Sequence, residues 1–413
     1  MMLHYGRICG LGMIMATMPV LAGDWSQWRG PNHNNVAAQG QTVVTEWSEK
    51  KNVIWKVDVP GRGHASPTVI GNLVILCSAA DQAQSQAVVA FDRHTGKELW
   101  LTEVSQGGFP PIHVKNTHAS ATAASDGKNI FAVFSHHEKV EAVALDMMGN
   151  IVWRKDVGGF RPEAYEYGYA ASPTIHKDKL IVSGDSDTVA WVKALRLSDG
   201  QMLWEQKRPQ FLNWSSPIVA SIDGRDQLLL SGLYMISSYD PETGRPLWET
   251  KCLTMATCGT CVWEGDLVFA SGGYPDPGTV AVKADGSGVA WSNQIKNYEQ
   301  SLVVLNGYLY AFSDQGIVHC WNAKTGKEMW KHRLKGPVSS SPLIVGDTIF
   351  ATNESGTSWA FKANPAKYEQ LAVNQLGDTG FASITAVDGQ LFIRTSTGDG
   401  AARKELLYRI GQK

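Results

Sequence analysis

The most reactive side chains that stand close together in this chain are the two thiols of the run Cys258-Gly259-Thr260-Cys261. A redox-active CxxC motif needs a helix N-terminus that lowers the pKa of a thiol. Here the motif enters a predicted strand, on which residues three apart point to opposite faces, too far apart for a disulfide without a sharp bend. No second CxxC motif completes a zinc site. We interpret both as buried structural thiols, and a bridge from Cys252 to either one is the alternative.

Three histidines, His64, His113 and His118, are the second group that could do chemistry. Imidazole is a common metal ligand, and a catalytic zinc needs three ligands that converge. Histidines in loops more often hydrogen-bond to backbone, so we predict no metal site and assign the three side chains to ligand binding. The chain has no Gly-x-Ser-x-Gly elbow and no localised pair of carboxylates, so we predict no catalytic residues.

A repeated segment must position these residues. It ends in tryptophan and recurs at intervals of about 45 residues, at Trp55, Trp100, Trp153, Trp204, Trp248, Trp291 and Trp330. In clear copies such as residues 240–248, Asp or Asn opens a turn and Gly supplies a positive φ. Each unit also begins alike, with Ser before an apolar run, as at Ser66 and Ser341. Four short strands in a repeat of this length are typical of a propeller blade.

Eight inner strands can be counted, near Ser66, Ser120, Ser172, Ser216, Thr260, Ser301, Ser341 and Ser383. The last unit has only three strands and no closing tryptophan, whereas Trp55 precedes the first inner strand. We therefore predict an all-β, eight-bladed β-propeller over residues 52–413, closed by residues 52–57 as the fourth strand of the last blade. Residues 23–51 are expected to form an N-terminal arm that packs outside the ring.

The loops that enter the inner strands gather on one side of a propeller, called here the funnel face. Two residues before each inner-strand Ser or Thr, where side chains share a strand face, lie His64, His118, Ala170, Trp214, Cys258, Glu299, Ser339 and Phe381. Two long insertions, residues 107–118 and 158–169, reach the same face.

From this face we predict ligand binding by His64, His113, His118, Arg161, Tyr165, Tyr167, Tyr169, Trp214, Glu299 and Phe381. We expect His64, His118, Tyr165, Tyr167, Tyr169 and Trp214 to line one cleft, with Arg161 nearby. In the alternative, the two insertions pack only on each other and plug the funnel.

The N-terminal sequence predicts the location of the protein, and the composition argues against one class of partner. Residues 1–22 combine Arg7 with an apolar stretch and a small-residue site at Ala22, the pattern of a cleaved secretory signal. A periplasmic or secreted monomer with no integral membrane segment after cleavage is therefore expected. The formal net charge is -2 and no basic run occurs, which argues against nucleic-acid binding.

The N-terminal segments sharpen the interpretation. Residues 25–32, 47–56 and 60–67, together with the repeat, resemble the PQQ-like (quinoprotein-like) β-propeller family, in particular a bacterial secreted subgroup related to outer-membrane assembly propellers. The family includes dehydrogenases that hold pyrroloquinoline quinone through two adjacent cysteines and calcium ligands, and this chain has neither. Asp24, not cysteine, follows Gly23, so the resemblance does not support a lipid anchor.

Two functions follow as expectations. The first is a non-catalytic scaffold that binds a protein, peptide or glycan of the cell envelope on the funnel face, with no cofactor. The alternative is an oxidoreductase that uses pyrroloquinoline quinone. The missing adjacent cysteines favour the first.

Overall fold

The computed structural model describes residues 23–412, so the predicted signal peptide lies outside the described residues. The first strand in the chain is β1 (Val53–Val59). Blades 1 to 4 then follow as β2 (Thr68–Ile70), β3 (Leu73–Ala80), β4 (Ser85–Asp92) and β5 (Glu98–Gln106); β6 (Ala124–Ser125), β7 (Asn129–His136), β8 (Lys139–Asp146) and β9 (Ile151–Gly159); β10 (Thr174–His176), β11 (Lys179–Asp185), β12 (Ala190–Arg196) and β13 (Met202–Lys207); and β14 (Ile218–Ile222), β15 (Arg225–Gly232), β16 (Met235–Tyr239) and β17 (Pro246–Lys251).

Blades 5 to 8 complete the ring. They are β18 (Val262–Glu264), β19 (Leu267–Gly272), β20 (Gly278–Lys283) and β21 (Val289–Asn293); β22 (Val303–Leu305), β23 (Tyr308–Phe312), β24 (Ile317–Asn322) and β25 (Glu328–Arg333); β26 (Leu343–Val345), β27 (Thr348–Thr352), β28 (Thr357–Lys362) and β29 (Gln370–Gln375); and β30 (Thr385–Val387), β31 (Gln390–Thr397) and β32 (Lys404–Ile410) with β1. The only helix among the described residues is a 3-10 turn at Gly400–Ala402, and no helix there is long and apolar enough to cross a bilayer.

Every blade is a four-stranded antiparallel sheet, which confirms the predicted eight-bladed propeller. The eighth sheet has the order β1-β32-β31-β30, so the first strand of the chain is the outer strand of the last blade. Its register pairs Trp55 with Arg409 and Val59 with Glu405. This pairing closes the ring as predicted and leaves no gap between first and last blades.

The repeated tryptophans join every blade to the next except the seventh, whose outer strand β29 has no tryptophan. The indole of Trp204 in blade 3 lies over the turn glycine of blade 4, where a Cβ atom built on Gly244 would be 2.5 Å from the ring. Its Nε1 atom donates to the carbonyl oxygen of Pro241 in the same turn, 3.2 Å away. Equivalent indole-to-carbonyl bonds run from Trp55, Trp100, Trp153, Trp291 and Trp330 to the following blades. The repeat therefore pairs a large ring with a residue that has no side chain.

Residues 25–37 of the N-terminal arm run across one end of the central channel, which corrects the position predicted for them, whereas Trp47 and Glu49 contact β29 and β32 before the chain enters β1. Trp25 forms a two-way backbone bridge with Val69 of β2 in blade 1, and Ala37 is bonded to Ile344 of β26 in blade 7. Between them the arm bonds to inner-strand segments of blades 2, 3, 5 and 6. The exposed backbone edges of eight inner strands explain this path, because the arm satisfies hydrogen bonds that a vacant channel end would leave to water.

Substituting alanine for the turn glycine should reveal the inter-blade contact. Gly244 and Gly224 have nearly the same φ, +72° and +74°, but a Cβ at Gly224 meets nothing within 4 Å. We expect Gly224→Ala to lower the free energy of unfolding by about 1–2 kcal/mol, the cost of the left-handed backbone. Gly244→Ala should cost about 2 kcal/mol more, since the methyl group displaces Trp204. Urea unfolding measures both, and equal losses would show that the contact contributes nothing.

Candidate functional site

A circuit of hydroxyl groups surrounds the channel just before the inner strands. The backbone N–H of Ser301 donates to Ser341 Oγ and that of Ser341 to Ser383 Oγ, each at 2.9 Å, and Ser383 donates to Ser66 Oγ at 3.0 Å. The circuit continues through the remaining blades, with the acceptors Thr122, Ser172, Ser216 and Ser301. In blade 5, Thr260 Oγ1 instead accepts the indole N–H of Trp28, 3.0 Å away. In every unit except blade 5, the Ser or Thr therefore accepts a hydrogen bond from the preceding blade.

This circuit corrects the alignment of blade 2. Ser66 donates to Thr122, and Thr122 donates to Ser172, so Thr122 and not Ser120 holds the repeated position. Two residues earlier stands Ser120, which takes the place that the sequence alignment assigned to His118. The insertion before this strand differs in sequence from that of unit 3, and the other units have none, so the sequence offered no internal reference for a shift of two residues.

The circuit encloses an axial cavity of about 430 Å³, within the range of small-molecule pockets. Its wall contains one residue from each blade, two positions before the circuit: His64, Ser120, Ala170, Trp214, Cys258, Glu299, Ser339 and Phe381. The indole of Trp28, on the arm, closes the end away from the funnel face. Lys115, Asn116, His113 and Tyr167 from the two insertions and Tyr298 complete the lining. The cavity is thus open towards the funnel face alone.

The two insertions pack on each other and also reach across the mouth of the cavity. Asn116 donates to the carbonyl oxygen of Tyr167, and the rings of His113 and Tyr167 lie 5.1 Å apart. Lys115 Nζ lies 3.0 Å from the Glu354 carboxylate in blade 7. The Tyr165 and Tyr274 hydroxyls are 2.7 Å apart, which ties the second insertion to blade 5. The loops therefore form a bridged platform over the mouth that leaves the cavity beneath it.

The structure brings six of the ten predicted ligand-binding residues into the cavity wall. They are His64, His113, Tyr167, Trp214, Glu299 and Phe381.

The other four predicted residues lie elsewhere, so the single cleft predicted for six side chains is not formed. His118 packs on Phe109, with ring centroids 4.1 Å apart, because the register shift removes it from the wall. Tyr169 is buried beneath the second insertion and donates to the carbonyl oxygen of Ser183 at 2.8 Å. Tyr165 supports Trp214 from outside the cavity. Arg161 is exposed and pairs with Glu163 at 2.9 Å.

Burial controls the protonation of the cavity wall. Burial, assisted by the nearby Arg62, lowers the pKa of His64 well below its usual value, so the imidazole is neutral at pH 7. Its ring is stacked on Phe381 at 4.5 Å, and its Nε2 atom is buried without a hydrogen-bond partner among the described residues. Burial also raises the pKa of Cys258 and that of Tyr298, which share a hydrogen bond.

The cysteines and histidines form neither of the sites that the sequence raised as alternatives. All five described cysteines are free, and burial raises the pKa of Cys261 to about 12. Within residues 23–412, no three His, Cys, Asp or Glu side chains come together in a way that could hold a metal ion.

Several wall residues were missed by sequence reasoning. Trp28 belongs to the predicted arm, and its place in the channel depends on a path that no local pattern shows. The inner-strand hydroxyls were read as part of the fold pattern alone; their recurrence at one position in every unit was the available signal. Lys115 and Tyr298 neighbour predicted residues but follow no repeat.

An eight-bladed ring with a tryptophan-on-glycine contact between blades and an axial cavity defines a PQQ-like repeat propeller. The family model described as outer membrane protein assembly factor BamB matches residues 25–108, 84–311 and 278–403. Because these segments cover most of the chain, the protein belongs to this family.

Two relatives and one solved structure illustrate the similarity. The assembly factor BamB of Shewanella oneidensis is 29% identical over 208 residues, 45% of this chain and 50% of that protein, so the chain spans half of its length. BamB of Yersinia pestis is 21% identical over 376 residues, 77% of this chain and 90% of that protein. The quinohemoprotein alcohol dehydrogenase of Comamonas testosteroni superposes with a TM-score of 0.67 at 12% identity, covering 95% of this chain and 81% of that one, which shows the fold alone.

The buried, neutral state of His64 predicts a pH dependence of stability. In the unfolded chain its pKa returns to about 6.5, so the unfolded state binds an extra proton as the pH falls below that value. The folded protein should lose up to about 2 kcal/mol between pH 7 and pH 5 through this group. His64→Gln should make the profile measured by urea unfolding less steep, and the remaining slope comes from groups such as His33, whose pKa burial lowers to about 3. His94→Gln, in an exposed turn, should leave the profile unchanged. A His64→Gln profile as steep as the wild-type profile would contradict the assignment.

Proposed function

We propose that the protein is a non-catalytic scaffold of the bacterial envelope, periplasmic or secreted, that binds a protein, peptide or glycan through its funnel face. The family supports a scaffold, because the relatives are named as outer-membrane assembly factors. The predicted signal peptide supports the location. The same fold occurs in a quinohemoprotein dehydrogenase, so fold alone does not decide between the two functions.

The observation that carries this proposal is the platform made by the two insertions. It is tied to blades 5 and 7 by the Tyr165–Tyr274 and Lys115–Glu354 contacts, so it is held in place before any partner arrives. It nevertheless presents apolar surface, since Val114 is 79% and Tyr167 42% exposed. Ordered loops with exposed apolar and aromatic side chains on a rigid ring are typical of binding surfaces that lose little entropy on association.

The lining of the cavity does not fit pyrroloquinoline quinone. That cofactor carries three carboxylates, which call for several cations, and Lys115 is the only lysine or arginine in the wall. Its ammonium group is already paired with Glu354, and the Glu299 carboxylate would repel the ligand. Glu299 is also the only carboxylate in the wall, and no general base contacts a nucleophile there. We derive no redox step from this site.

Site-specific photocross-linking can test the platform. A benzophenone amino acid at Val114 should capture a partner in the envelope of the native host, because this side chain is 79% exposed at the tip of the platform. The matched control carries the same group at Lys324, an exposed turn residue on the opposite face. A product at position 114 only, identified by mass spectrometry, is the expected result.

Equal products at both positions, or none at position 114, would contradict binding on the funnel face. Titration of the purified protein with pyrroloquinoline quinone and calcium, followed by tryptophan fluorescence, tests the alternative. Stoichiometric quenching with dye-linked oxidation of an alcohol would overturn the scaffold assignment.

A further inference from the structure

The hydroxyl circuit has hydrogen-bonding capacity that the protein does not use. Seven of its hydroxyls line the cavity: Ser66, Ser172, Ser216, Thr260, Ser301, Ser341 and Ser383. Each accepts one N–H group, and none donates to another of the described residues. A hydroxyl carries one donor and two acceptor sites. The cavity is therefore surrounded by O–H groups that remain free to donate to a ligand.

The wall also offers an acceptor. Glu299 lines the cavity from an exposed position, and its charge acts on the nearby Lys115 without forming a hydrogen bond or an ion pair within 4 Å among the described residues. The carboxylate of this side chain is free to accept O–H groups, and hydrogen bonds to a charged acceptor are among the stronger ones. Donors thus surround the channel, while the carboxylate acceptor occupies one position on the wall.

Aromatic faces complete the lining. The wall contains the stacked pair His64–Phe381 and the perpendicular pair Tyr167–Trp214, whose ring centroids are 5.7 Å apart. Trp28 adds an indole at the closed end. These rings offer apolar contact to a ligand that also presents C–H groups.

Charge decides between the ligand classes that could use such a site. An anion would satisfy the hydroxyls but would be repelled by Glu299, and Lys115, the one cation of the wall, is already paired with Glu354. A cation would leave the O–H donors without acceptors. A sugar both donates and accepts through its hydroxyls and has an apolar ring face. We propose that the cavity binds a neutral mono- or disaccharide unit, free or at the end of a glycan chain. This inference rests on the proposed function and narrows its partner class to a glycan.

The proposal can be tested on the mature chain by isothermal titration and saturation-transfer NMR. The probes are glucose, galactose and N-acetylglucosamine, their β-1,4-linked disaccharides cellobiose, lactose and chitobiose, and longer oligomers of each. At least one should bind saturably. Glu299→Gln and Tyr167→Ala should each weaken it by about tenfold, which corresponds to one charged hydrogen bond or one ring contact. Equal affinity for a disaccharide and its longer oligomers would identify a chain end as the bound unit, whereas weaker binding of the oligomers would identify the free sugar.

Matched variants separate the cavity from the surrounding surface. Glu166→Gln removes an exposed carboxylate of the second insertion that is not in the wall, and it should leave the dissociation constant unchanged. Tyr167→Phe keeps the ring and should bind within about twofold of the wild type. Thermal unfolding of each variant verifies that the ring is folded.

Three results would overturn the proposal. They are the absence of saturable binding by any of the sugars, sugar binding that survives both Glu299→Gln and Tyr167→Ala, and saturable binding of acetate or sulfate instead of sugars. The anions are included because Arg29, buried beside Trp28, has no carboxylate partner in its hydrogen bonds, which reach only carbonyl groups. Retained cross-links at Val114 without sugar binding would refute the saccharide site alone, whereas sugar binding without cross-links would refute the platform.

Discussion

The structure depends on a contact that joins six of the eight blades to the next. An indole from one outer strand covers a turn glycine of the following blade and donates to a carbonyl oxygen there, as Trp153 does to Leu197 at 2.8 Å. Where the carbonyl is out of reach, Trp248 bonds to Gln227, whose amide donates to Ala284 of the next blade. Repeated contacts of this kind stabilise a ring only if it closes, and β1 provides the closure by pairing with β32.

Closure of the ring creates a central channel, and the N-terminal arm covers one end of this channel. Six polar residues of the arm are buried among the inner strands, including Gln27 and Asn35. Gln27 accepts the N–H of Ile175, and Asn35 donates to the carbonyl oxygen of Pro342. With one end closed in this way, the hydroxyls that link neighbouring blades also surround a cavity that opens on one face. The same groups thus serve the fold and present donors to a ligand.

The blades of this protein differ from one another mainly on the funnel face. The turns on the opposite face repeat the same chemistry in blade after blade, whereas the wall residues differ from blade to blade: His64, Trp214 and Glu299 occupy equivalent positions. A rigid ring allows such variation, because each position is held by backbone bonds that do not depend on its side chain. This is why proteins of one fold can act as assembly factors or as dehydrogenases, and why function has to be argued from the wall and the platform.

The sequence by itself determined the blade count, the closing strand and most of the wall, because the turn glycines, the tryptophans and the inner-strand Ser or Thr are local signals that repeat with a fixed period. These local signals cannot align residues where an insertion interrupts the repeat. The insertion of blade 2 hid a shift of two residues, which placed Ser120 rather than His118 in the wall. The path of the arm, with Trp28 at the closed end, and the Lys115–Glu354 contact across the mouth join residues more than 200 positions apart. Only the closed ring brings such residues together, so tertiary structure alone decided the shape of the cavity and its cover.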